Sequence, residues 1–151
     1  MNSESQSSQD QARLRRRHLS IGWWSLLCFA LLGIALEALH AWKVDAYLHP
    51  AHETRRLLLR LAHAHGIGLA LLHVAFAFTA STLRTPPRLA SACMTGALLA
   101  MPIGFLLGGI GHSGGDPGAG IALVPLGALL LLIAIGSTAW SLREATDREP
   151  S

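Results

Sequence analysis

The chain has 151 residues, of which 51% are hydrophobic and 14% charged, with a net charge of +3. A single domain of this size with so little polar surface must leave apolar side chains exposed, which argues against an ordinary soluble domain and for contact with lipid. The arginines sit at the ends of apolar runs and not in a basic stripe with aromatics, a pattern of membrane topology that argues against nucleic-acid binding.

Residues 1–12 contain almost no apolar side chain, so no burial offsets the entropy of ordering them, and a disordered polar tail is expected. Arg13, Arg15, Arg16 and Arg17 then lead into an apolar run at 20–41. At 1.5 Å per residue that run can cross a hydrocarbon core of ~30 Å, and it is longer than the apolar part of a signal peptide. The connector 42–54 holds Trp42, Tyr47 and Pro50, which suits a segment lying along the interface.

The second helix is expected at 55–79, ended by the Pro86–Pro87 pair. A third follows at 89–111, where Gly104, Gly108 and Gly111 recur at helical spacing and offer a face that another backbone can approach. The fourth is expected at 121–140, before a charged tail at 143–151. The fold class is therefore an all-α, integral membrane four-helix bundle whose membrane domain covers 13–142. Cys28 and Cys93 lie inside apolar runs and read as small buried packing residues.

Eight arginines fall on the side of the termini (13, 15, 16, 17, 84, 88, 143 and 148), against Lys43, Arg55, Arg56 and Arg60 on the other. The positive-inside rule then puts both termini in the cytoplasm, as expected of a protein in a bacterial inner membrane. This topology gathers His40, His49, His52, His63, His65 and His112 toward the outer side and leaves only His18 and His73 elsewhere. A similarity between 66–71 and 118–123 hints at a two-helix repeat.

The stretches LLGIALEALHAWK, LAHAHGIGLALL and LVPLGALLLLIAIGSTAW resemble the YgdD-like family of four-span membrane proteins. His40, His65 and Pro125-Leu126-Gly127 are the matching positions, whereas Glu37, His63 and the basic run ETRR depart from the family pattern. The resemblance implies architecture and no activity.

Ionisable groups within membrane helices are costly and ask for a partner. Glu37 and His40 are three residues apart and share a helix face; Glu37 is expected to pair with Arg60, with His65 in the same layer. His63 and His65 are about 200° apart around the helix, so only one is expected to face the bundle, and His65 with His73 is the choice. The full polar cluster read from the sequence is Glu37, His40, Arg60, His63, His65, His73 and His112.

Three functions follow, in this order: a non-catalytic scaffold or subunit in a homo-oligomer or larger membrane complex; a haem or transition-metal protein with His40, His65 and Glu37 as ligands; and an oligomeric transporter of protons or small solutes. No nucleophile elbow, phosphate loop or zinc-protease motif argues for an enzyme.

Overall fold

The computed structural model describes residues 3–83, 87–111 and 115–147. Among them the chain is all-helical: α1 (Ser3–Ala41), a short α2 (Asp45–Leu48), α3 (Glu53–Ala80), α4 (Arg88–Ile110) and α5 (Leu123–Thr146), with 3-10 turns at Pro50–His52 and Ala119–Ala122. Four of these helices are long and apolar enough to cross a membrane.

The first departure from the sequence reading is at the start, where residues expected to form a disordered tail are helical from Ser3 onward. No Gly or Pro interrupts 3–21, so once the apolar part of α1 is helical each added residue extends an existing nucleus. The extension is also tethered, because Asp10 pairs with Arg88 at 3.1 Å and the Gln11 amide donates to the Leu83 carbonyl. At 39 residues α1 is about 58 Å long, roughly twice a hydrocarbon core.

α1 closes on Lys43, the one non-glycine residue with positive φ among those described (50°), and bonds from Lys43 N to His40 O and from Val44 N to Leu39 O complete the cap. In the connector Trp42 is exposed, but Tyr47, expected at the headgroups, is buried. The turn is fastened by Arg56, whose guanidinium donates to the carbonyls of Tyr47 and Leu48 at 3.3 and 3.1 Å.

Neighbours in sequence are neighbours in space: α1 packs on α3, α3 on α4 and α4 on α5. The two inner helices supply most of the core, with Leu58, Ala62 and Leu69 of α3 against Ala97, Leu98, Met101 and Phe105 of α4. A second core at the other end joins Phe76 and Ala80 to Ala90, Cys93, Met94 and Ala134. Cys93 is buried as expected of a packing residue; Cys28 is exposed, because it sits on the outward side of α1. Only 11% of the most apolar stretch of α1 and of α5 is buried, against 56% in α4.

Close packing is achieved with glycine. Gly33 lies under the His63 ring and Gly66 under the Phe29 ring, so neither has room for a Cβ. The tightest backbone approach of α5 is at Gly127, where a Cβ would come within 2.8 Å of Met101 N. At Gly104 a Cβ would meet Val124 Cγ2 at 3.0 Å, and at Gly108 it would meet Ile121 at an ordinary 3.5 Å. Residues 66–71 lie within α3, whereas 118–122 form a loop and 3-10 turn ahead of α5, so the similarity between 66–71 and 118–123 is not a structural repeat.

Candidate functional site

The best-built polar site is one the sequence did not single out. His18 of α1, His73 of α3 and Ser91 of α4 are all buried, the two histidines completely. His18 Nδ1 and His73 Nδ1 are 2.8 Å apart, His18 Nε2 lies 2.7 Å from Ser91 Oγ, and His73 Nε2 lies 3.3 Å from the Met94 carbonyl. The imidazole planes differ by 23° with centroids 4.8 Å apart, so the rings meet edge to edge, as an in-plane hydrogen bond requires.

With both imidazoles neutral, the proton positions follow from the one member that can only accept. The Met94 carbonyl must receive the His73 Nε2–H, which leaves His73 Nδ1 bare to accept from His18 Nδ1–H. His18 Nε2 is then bare and accepts from the Ser91 hydroxyl. Every ring nitrogen is satisfied, and the chain of bonds runs in one direction through three helices. Phe76 contacts the His18 ring edge-on at 4.7 Å and closes the apolar side.

His73 therefore belongs to this chain, at the end of the bundle where α1 begins and α3 ends, and does not join His65. The clue available in the sequence was the alternation of helix direction, which puts the start of α1 and the end of α3 at one level; nothing in the sequence distinguished Ser91 from other small polar residues.

The residues toward the opposite end of the bundle are dispersed. Glu37, His40 and Arg60 are exposed, and none of the three side chains makes a hydrogen bond or ion pair among the described residues. Glu37 was expected to face the bundle and instead lies on the outward surface of α1, while the inward stripe there is occupied by Leu36 and by Gly33 under His63. His63 and His65 each find a neighbour: α3 lies between α1 and α4, so two positions about 200° apart are both packed. His63 Nδ1 donates to the Phe29 carbonyl of α1 at 2.7 Å, and His65 stacks at a tilt on Phe105 of α4 with centroids 4.8 Å apart. His112 lies outside the described residues.

His65 also lines a lateral groove, an apolar depression of about 500 Å³ on the outside of the α3–α4–α5 contact, shared with Ala64, Gly68, Leu69, Leu72, Met101 and Leu131. No group of three or more His, Cys, Asp or Glu side chains converges in metal-binding geometry among the described residues. Comparison with protein families, with characterised proteins and with solved structures finds no match to the chain.

Proposed function

We propose that this is a four-span integral protein of the bacterial inner membrane, with both termini in the cytoplasm, that serves as a non-catalytic subunit or scaffold in a homo-oligomer or larger membrane complex. The observation that carries the reading is the exposure of α1 and α5: only 11% of their most apolar stretches is buried by the rest of the chain, which leaves a surface that water would penalise and lipid or a partner's helix would not. The arginine asymmetry supports the orientation, the resemblance to YgdD-like proteins agrees with the architecture, and the buried histidine chain gives three helices a fixed register.

The test is cysteine accessibility in intact cells, in a Cys28→Ala background with the buried Cys93 retained. Ala51→Cys and Asp116→Cys are expected to react with an impermeant thiol reagent from outside, and Ser81→Cys only after permeabilisation. All three parent residues are exposed. Reaction of Ser81→Cys alone would reverse the orientation, and equal reaction of all three would overturn the membrane topology.

A further inference from the structure

The geometry points to a two-fold dimer in which the α1–α3 face of one copy packs on the same face of a second, with Glu37 of each chain paired to Arg60 of the other. The inference rests on the membrane and homo-oligomer reading above, because it takes that face to lie in lipid when a chain is alone.

The register of α1 against α3 is set by three close contacts: Gly33 under the His63 ring, Gly66 under the Phe29 ring and Gly22 against Val74. The helices are antiparallel, so each step along α1 is a step back along α3, and Glu37 falls within about one residue, ~1.5 Å, of the level of Arg60. The two also lie on one side of the seam. Arg60 and Phe78 are 18 residues apart, a whole number of turns, and so share one line along α3. Glu37 is about 40° round α1 from Arg15, and Arg15 reaches across the seam to the Phe78 ring, 5.3 Å from its centroid.

A carboxylate and a guanidinium thus stand at one depth on one face, both exposed and neither in an ion pair among the described residues. Inside a membrane span each of these charges is costly alone and asks for an opposite one. The face around them is apolar, with Ile34 66% and Leu71 53% exposed. Ala30 and Ala64 are also exposed; the same register puts them at nearly one level, where their small side chains let a second pair of helices approach.

A two-fold axis along the membrane normal keeps every residue at its own depth and lays α1 of one copy over α3 of the other. Glu37 then meets Arg60 of the other copy twice, once on each side of the axis. A lipid headgroup meets one charge at a time, whereas a second copy answers both, at the right depth and with the right sign.

The experiment measures dimerisation of the full-length chain in liposomes by energy transfer between donor-labelled and acceptor-labelled copies. Glu37→Arg and Arg60→Glu each set like charges against one another at both contacts, and each alone is expected to raise the dimer dissociation constant by about tenfold or more. Mixing the two single variants restores both pairs in the mixed dimer, so transfer from a Glu37→Arg donor to an Arg60→Glu acceptor is expected at the parent's level. An ion pair confined to one chain predicts no such rescue. Should a swapped chain fail to fold, Glu37→Gln and Arg60→Gln read the same contact: each alone leaves a bare charge at the interface and is expected to weaken the dimer more than the double change does. A chain that stays monomeric, a dimer indifferent to these changes, or single variants that the mixture does not restore would overturn the interface. An indifferent dimer leaves the homo-oligomer standing through another surface, and each of these outcomes leaves the cysteine-labelling pattern untouched, so failure of this interface and failure of the membrane topology are distinguishable.

Discussion

At the scale of single residues the energetic weight lies in the His18–His73–Ser91 chain. A buried polar group left without its partner costs about 1–3 kcal/mol, more than the net gain of an average hydrogen bond. His18→Phe would strand both the His73 Nδ1 acceptor and the Ser91 hydroxyl, and His73→Phe would strand the His18 Nδ1–H, whereas the Met94 carbonyl keeps its bond within α4. Each single change is therefore expected to lower stability in detergent by about 1–3 kcal/mol. The double change removes both imidazoles, leaves fewer orphaned groups than the two singles together, and should cost clearly less than their sum. A denaturation cycle checks this, and strictly additive losses would mean that the 2.8 Å contact carries no coupling. The Asp10–Arg88 pair is a different case: its side chains are 47% and 82% exposed, so it positions the N-terminal extension of α1 and adds no more than about 1 kcal/mol.

At the scale of helices, glycine sorts by what its missing Cβ would touch. Gly127→Ala must push α5 off the α4 backbone, since the new atom would sit 2.8 Å from Met101 N, and a marked fall in melting temperature is expected. Gly136→Ala meets nothing within 4 Å and is expected to be neutral or to gain up to about 1 kcal/mol of helix propensity. A thermal melt of the two variants side by side checks the contrast, and equal shifts would count against tight α4–α5 packing. The long apolar helices were legible in the sequence because their lengths and punctuation are set by local chemistry: Pro87 stands just before α4, and α1 ends before the polar connector. What was not legible depended on which faces meet. Glu37 and Arg60 have a suitable spacing and a suitable charge, yet the rotation of α1 against α3 is decided by Gly33 seating the His63 ring and Gly66 seating Phe29, which turns Glu37 outward. The helical tail was missed for a related reason, since composition speaks for isolated segments and not for the continuation of a helix already formed.

At the scale of the whole molecule, the four tryptophans bear on where the bilayer lies. Trp23, Trp24, Trp42 and Trp140 are all exposed, by 64–78%, so they contribute little to the core. Trp23 and Trp24 stand nearly two turns past Arg17, and Trp42 stands just beyond the end of α1. Eighteen residues separate Trp24 from Trp42, about 27 Å at 1.5 Å per residue, close to the ~30 Å of a hydrocarbon core. Trp140 shares a crevice with Pro87 and Arg88 at the arginine-rich end, which puts it with Trp23 and Trp24 and opposite Trp42. An indole prefers the boundary, where its ring is in an apolar setting and its N–H reaches water or a headgroup. In the membrane orientation proposed above, the two sets mark the inner and outer interfaces and leave the His18–His73–Ser91 chain near the inner boundary. Single-tryptophan variants reconstituted with brominated phospholipids measure the depth directly. Each of the four indoles is expected to be quenched more by bromine near the glycerol backbone than by bromine near the chain ends. Strongest quenching of Trp24 or Trp42 by chain-end bromine would displace the boundary by about half a leaflet and with it the proposed position of the four spans.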